Sequence, residues 1–190
     1  MKYFIDTEFH EYEKNGISTI DLISIAIVDE NERNFYQLNK QHNLEDSWSN
    51  EWLKENVFKQ IYNELMPISN RENSPFCFST MSLLFNNYGL DKNDIKQEIL
   101  SFIKFDKNIE FYGYFSDYDW VVFCWLFGRM IDLPNEFPQY CVDLKQMMKE
   151  RNLSNQWKEK NCPTCKNEHS AVEDAKWNLQ LYKKIIENKI

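Results

Sequence analysis

The sequence has no apolar run approaching the ~20 residues that cross a bilayer, and nothing in it resembles a secretory leader. The apolar opening, Tyr3 to Ile5, is short and runs straight into acids, whereas a leader keeps its apolar stretch uncharged. A soluble, intracellular protein is therefore expected, cytoplasmic and without a membrane partner. Internal repeats, low-complexity tracts and obvious linkers are missing too, so residues 1–190 read as one domain with a full-sized core. Positive charge is short: 22 Lys and Arg stand against 30 Asp and Glu, a net charge of −8. That balance argues against coating long duplex nucleic acid, which needs a basic face. It leaves open an enzyme that meets phosphates through bound cations and works on short substrates or frayed ends. The five cysteines, an odd count, read as reduced thiols, and Cys124 within VVFCWLF reads as a small core residue.

Aromatic residues are abundant, at 16%. KYFIDTEF predicts a strand, EYEKNG a turn, Ile20–Val28 a central strand and NFYQL a third, together a meander. From Ser47 to about Leu65 a helix is expected, with Trp48, Trp52, Phe58, Ile61 and Leu65 on its apolar face. Pro67 to Gly89 reads as loop with short helical pieces, and Asp91 opens a helix that turns Ile95, Ile99, Leu100 and Ile103 inward. IEFYGYF is a strand followed by the apolar helix DWVVFCWLFGRM. QYCVDL is a short strand leading into LKQMMKE, Arg151 to Glu168 is a polar stretch, and a last helix covers about Ala171 to Glu187. Strands first, then strands alternating with helices, point to an α/β domain with a mixed sheet.

The stretch MKYFIDTEFH sets a physical problem. Side chains alternate along a strand, so Asp6 and Glu8 share a face, roughly 6–7 Å apart at Cα. Like charges so placed repel, and one tends to keep its proton. Either the strand end is hydrated or a cation is shared. Two later segments carry more acids. In FYGYFSDYDWVVFCW, Asp119 falls at the third helical position if Ser116 is the N-cap, where an acid also serves as a capping-box partner; Asp117 is the residue most easily confused with it. In NEHSAVEDAKWN, Ser170 and Glu173 fit the capping box S-x-x-E, which puts His169 just outside the helix and Asp174 in its first turns.

DTE at the end of a first strand, YD opening a helix after a later strand, and HSAVEDA near the end resemble the DEDDh exonuclease superfamily, which includes ribonuclease T, oligoribonuclease and the proofreading subunits of DNA polymerases. Within it, IDLISIAIV, NEWLKENVFKQI, YDWVVFCWLFG and DLKQ are similar to the mycobacterial-type family of small 3′–5′ exoribonucleases, over nearly the whole chain. The resemblance implies a ribonuclease H-like fold, a mixed five-stranded sheet with helices on both faces. It implies that Asp6, Glu8, Asp119 and Asp174 bind two divalent ions, Mg²⁺ or Mn²⁺ for an all-oxygen ligand set. His169 would be the general base, a task for which an imidazole is the usual side chain. The expected reaction removes nucleoside 5′-monophosphates from 3′ ends, with RNA favoured and single-stranded DNA the alternative. Relatives in the superfamily are often homodimers, and the aromatic surplus is compatible with an interface.

Thr7, Phe9 and His10 adjoin the acid pair and are candidates for substrate binding, Phe9 and His10 by stacking on a terminal base, with core packing the alternative for Phe9. Trp120 reads as core. Lys145, Lys149 and Arg151 would either steer a nucleic-acid backbone or form a solvated helix face. Two rival readings come from another class. The pair CPTC, Cys162 and Cys165, has metal-ligand spacing that Cys141 and His169 would complete, as in a zinc-stabilised nucleic-acid-binding module. The other rival is a catalytically inactive binding domain, against which stands the filling of all five catalytic positions.

Overall fold

In the computed structural model, residues 1–103, 108–164 and 168–188 are described. Strands β1 (Lys2–Lys14) and β2 (Ile17–Asp29) form a long antiparallel hairpin. Asn15 and Gly16 carry positive φ of 56° and 75°, the signature of a type I′ turn whose twist matches the strands it joins. The turn expected over EYEKNG thus shrinks to two residues, and Glu11–Lys14 stay in the strand. β3 (Asn34–Leu38) pairs antiparallel with β2, completing the expected meander. β4 (Glu110–Gly113) joins the other edge of β1 in parallel, and the two-residue β5 (Val142–Asp143) pairs in parallel with β4. The sheet order β3-β2-β1-β4-β5 is mixed and five-stranded, as a ribonuclease H-like fold requires.

Residue alternation assigns the two faces. Tyr3 and Ile5 of β1 pack with Leu22, Ile25 and Ile27 of β2 against α5 (Lys92–Phe102) and α6 (Asp117–Phe127). Phe4 packs with Ala26 and Val28 against α7 (Leu144–Glu150) and the long α9 (Ala171–Glu187). A third cluster lies over the β2–β3 edge under α1 (Leu44–Ser47), α2 (Glu51–Leu53), a π-turn (Lys54–Phe58), α3 (Lys59–Leu65) and α4 (Phe78–Tyr88). Phe4, Phe58, Phe111 and Phe123 are fully buried, each worth about 1.5–3 kcal/mol of transfer free energy. A bulge in the β1–β2 register between Glu8 and Phe9 leaves Ile23 unpaired and turns it into the third cluster.

Two segments differ from expectation. Phe78–Tyr88 is a continuous helix where loop was expected, because Met81, Leu84 and Phe85 are buried in the third cluster. The polar stretch after Arg151 contains α8 (Asn155–Asn161), started by Ser154, whose hydroxyl accepts from the Trp157 amide. Arg151, considered for steering, donates to the Ile185 carbonyl, and Lys145 donates to Asn155. Among the described residues, no helix is long and apolar enough to cross a membrane.

Candidate active site

The register explains how the acids meet. β4 pairs with β1 only through Phe4–Tyr112 and then ends, so Asp6 and Glu8 extend past the carboxyl end of a parallel neighbour, where open α/β sheets form their crevices. Both point to the α9 face, as Phe4 does. Asn178 of α9 is buried and donates its side-chain amide to the Ile5 carbonyl at 3.0 Å, clamping α9 to β1 one residue before Asp6. Asp174 lies one helical turn earlier on α9, on the same face as Asn178. Carboxylate oxygens of Asp6, Glu8 and Asp174 all fall within 4.8 Å of one another.

Asp119 arrives from the opposite face. Thr7, alternate to Asp6, donates to Asp119 Oδ1 twice, from its amide at 2.8 Å and its hydroxyl at 2.6 Å. The start of α6 is fixed further by Asp143 at the end of β5, whose Oδ2 accepts from the Ser116 amide at 3.0 Å while Oδ1 caps α7 at Gln146. Gly113 permits this closeness: a Cβ there would lie 2.6 Å from Ser116 Cβ and 3.3 Å from the Ile5 carbonyl. Phe115 and His169 flank the cluster with positive φ of 57° and 67°, conformations bulky side chains rarely adopt and which concentrate at functional sites.

The electrostatics are of one sign. Burial, then the charges of Asp119, Glu8 and Asp174, raise the Asp6 carboxyl well above its ordinary value. Burial, then Asp174, Asp119 and Glu64, does the same to Glu8. Burial pushes Asp119 up to about 6 although the two Thr7 bonds pull it down. Such a cluster is poised to exchange its protons for a cation.

His169 donates its amide to Asp174 Oδ2 at 2.9 Å, which brings the loop histidine to the acids, and its ring meets Trp52 edge-on at 4.7 Å between centroids. A cavity of about 330 Å³ lies alongside, lined by Asp6, His169, Asp174, Tyr114, Lys158 and Asn178. A neighbouring cleft of about 250 Å³ is bounded by Phe9, His10, Asn50 and Trp52. Phe9 meets Tyr118 edge-on at 5.8 Å, and His10 stacks on Tyr12 at 4.9 Å, where burial holds its imidazole below the ordinary value. Thr7, expected at the substrate, is buried and uses its hydroxyl on Asp119. Asp6, Glu8, Asp174 and His169 are thus brought together with Asp119 beside them.

Several participants were not anticipated. Trp52, expected on a buried helix face, is 53% exposed, because the π-turn after it shifts the helical phase relative to Ile61. Glu64 accepts from the Ser170 hydroxyl at 2.5 Å and adds charge near Glu8. That bond also explains why the capping box expected at Ser170 does not form: its hydroxyl reaches α3, and Glu173 pairs with Lys176 instead. At Ser116 the box is likewise missing, since Asp119 is held by Thr7. In the rival zinc set, Cys162 is buried in the α9 cluster and Cys141 packs against the cluster on the other face, while Cys165 lies outside the described residues. Among the described residues, the group fit to hold a metal is the acidic one.

Residues 79–186 match the family described as the 3′-5′ exoribonuclease Rv2179c-like domain. The chain belongs to this family. The matched segment contains Asp119, His169 and Asp174, while Asp6 and Glu8 precede it. Similarity beyond the segment comes from two curated relatives, "3'-5' exoribonuclease Rv2179c" of Mycobacterium tuberculosis strain H37Rv and "3'-5' exoribonuclease MT2234.1" of strain CDC 1551. Each is 27% identical over 191 residues, covering 97% of this chain and 93% of the relative.

Proposed function

We propose that this protein is a metal-dependent 3′–5′ exoribonuclease of the DEDDh kind, a single exonuclease domain over residues 1–190, which removes nucleoside 5′-monophosphates from RNA 3′ ends. The carrying observation is the acid cluster itself: the carboxylates of Asp6, Glu8 and Asp174 lie within 4.8 Å of one another, with Asp6 and Glu8 raised by burial and their acidic neighbours. Family membership and the relatives' names support the reaction class. The ligand atoms are all oxygen, which suits Mg²⁺ or Mn²⁺ better than zinc. Asp6, Glu8 and Asp174 would hold the metal together with Asp119, whose Oδ1 is engaged by Thr7. When bound, the ions supply positive charge and Lewis acidity at the scissile phosphate.

The chain's own residues do the rest. His169 accepts the proton of the attacking water at a ring nitrogen, with its backbone anchored to Asp174 so that loop and helix move together. Trp52, Phe9 and His10 offer aromatic faces to the terminal base, a mode of binding tolerant of sequence. Thr7 orients Asp119 rather than touching the nucleotide. The test is a time course on matched 5′-labelled RNA and DNA oligonucleotides, with Mn²⁺ and with EDTA. A metal-dependent ladder shortening from the 3′ end, faster on RNA, is expected. Cleavage that persists in EDTA, or no cleavage of either strand, overturns the reading.

A further inference from the structure

Lys158 is an odd residue for its position. It is 9% exposed, and its ammonium lies over two aromatic rings, 5.3 Å from the Tyr114 centroid and 5.4 Å from that of Trp177. Its ion-pair partner is Glu159, the adjacent residue, at 3.1 Å, whose side chain is 59% exposed. A pair between sequence neighbours at the surface contributes little, so it does not explain why a lysine head is kept nearly buried. The rings do explain how: their faces offset part of the ammonium's lost hydration and hold the stem in one place. What the arrangement accomplishes is visible in the cavity. Lys158 and Tyr114 line the same 330 Å³ space as Asp6, Asp174 and His169, with Glu168 also in its wall.

Resting on the exonuclease reading, we propose that Lys158 binds the phosphate of the nucleotide being released. The cavity volume falls in the range of small-molecule sites, about 300–1,000 Å³, and the cleft of Phe9 and Trp52 lies beside it. A phosphate seated near the acids needs cationic partners on its other side. The protein's charge is strongly negative, and among the described residues lining this cavity Lys158 is the one lysine or arginine. Hydrolysis leaves a terminal monophosphate with more negative charge than the diester it came from, so the contact strengthens on the product and sets how fast it leaves. Lys158 therefore governs affinity for the 5′-phosphate, while Trp52 and Phe9 face the base.

The test measures equilibrium binding of adenosine 5′-monophosphate and of adenosine, in Mn²⁺, to the full chain and to Lys158→Met, which keeps the stem between the rings. The expected result is about a tenfold or greater loss of monophosphate affinity, the scale of one charge-assisted hydrogen bond, with adenosine binding unchanged and Lys158→Arg recovering part of the loss. Equal monophosphate affinity in wild type and Lys158→Met, or an equal loss for adenosine, overturns the assignment. Should Lys158→Met melt below the assay temperature, Lys158→Arg against Lys158→Gln gives the same comparison. The binding arm stands apart from catalysis. Monophosphate binding that depends on Lys158 without cleavage of RNA refutes the exonuclease reading and keeps this one, whereas cleavage with Lys158-independent binding does the reverse.

Discussion

Two constellations of carboxylate and histidine stand on the β1–β2 hairpin, and they are built on opposite principles. At Asp21 of β2, the Oδ2 oxygen makes an ion-pair contact of 2.7 Å with His42 Nδ1 and accepts from the Asn43 amide at 2.9 Å, while Lys92 lies 3.8 Å from Oδ1. His42 Nε2 is 2.7 Å from the Ser47 hydroxyl. The order Asp–His–Ser resembles a hydrolase triad, yet Ser47 is fully buried and its hydroxyl donates to the Asn43 and Leu44 carbonyls. His42 lies against the rings of Phe58 and Phe85. Asp21 meets His42 and Lys92 and the serine is fully buried, so the set is a strut that ties the β3–α1 loop to β2. At Asp6 and Glu8 the neighbours are more acids, and a cavity opens onto Asp6 and Asp174. Residue types alone do not separate the two. What separates them is whether charge is balanced within the fold, and the imbalance marks the place where a ligand belongs.

Breaking each constellation should therefore have different consequences. The largest effect is expected from Asp6→Asn, which removes a central ligand: activity on a 5′-labelled RNA falls by on the order of a thousandfold, and the rise in melting temperature on adding Mn²⁺ is lost. In EDTA the same variant should melt above wild type, because a repelling charge is gone. His169→Ala loses most activity yet keeps the Mn²⁺ shift. A variant of His169 that still turns over normally removes the general-base role. His42→Ala reverses the pattern. It removes the imidazole that joins Asp21 to Ser47 and packs on Phe58 and Phe85, and should cost about 1–3 kcal/mol in urea unfolding, with kcat per folded molecule intact. A loss of kcat in folded His42→Ala would mean the strut reaches the chemistry.

The contrast extends to pH. Burial works to raise the Asp21 carboxyl, but the contacts from His42, the Asn43 amide and Lys92 outweigh it and hold it below the ordinary 3.8. Its contribution to stability is present above that value and is lost as pH falls through the lower folded value. Asp119, Asp6 and Glu8 are raised, so theirs is present below the unfolded values and is lost as pH rises through the folded ones. For Asp119 that window runs from 3.8 to about 6, and between pH 5 and 7 this residue alone should remove about 1 kcal/mol from the metal-free protein. Thermal melts in EDTA should fall across that range, and Mn²⁺ or Asp6→Asn should flatten the slope. A metal-free melting curve that rises toward pH 7 would show the acids to be balanced after all.

The same contrast explains how much could be read from the residues. Ile20–Val28 and NFYQL carry β-branched and aromatic runs whose burial follows from alternation, so the meander was legible, as was α9 with its start at Ala171. That the acids gather in space was legible through three motifs in order. Hidden were features that depend on tertiary partners. The capping boxes at Ser116 and Ser170 were sound local chemistry, overridden when Thr7 took Asp119 and Glu64 took Ser170. Trp52 could not be placed, because periodicity assumes an uninterrupted helix and the π-turn breaks it. Phe78–Tyr88 carries Ser, Thr and Asn, which favour caps and turns over helix interiors, and its helix shows through the Met81, Leu84 and Phe85 side chains it buries.

The finest test of the comparison is Thr7→Val, which takes one satisfied hydrogen bond away from the acid cluster. The hydroxyl's 2.6 Å bond to Asp119 Oδ1 goes, while the amide's 2.8 Å bond and the buried volume stay. Asp119 should then rise further above about 6, since a bond favouring its charged form is missing. The fold should lose only about 1 kcal/mol, and Mn²⁺ affinity, followed by the melting shift across a titration, should weaken severalfold, with Thr7→Ser restoring it. If Thr7→Val binds Mn²⁺ as wild type does, Asp119 is tuned by burial alone and the link between the two faces of the sheet is structural.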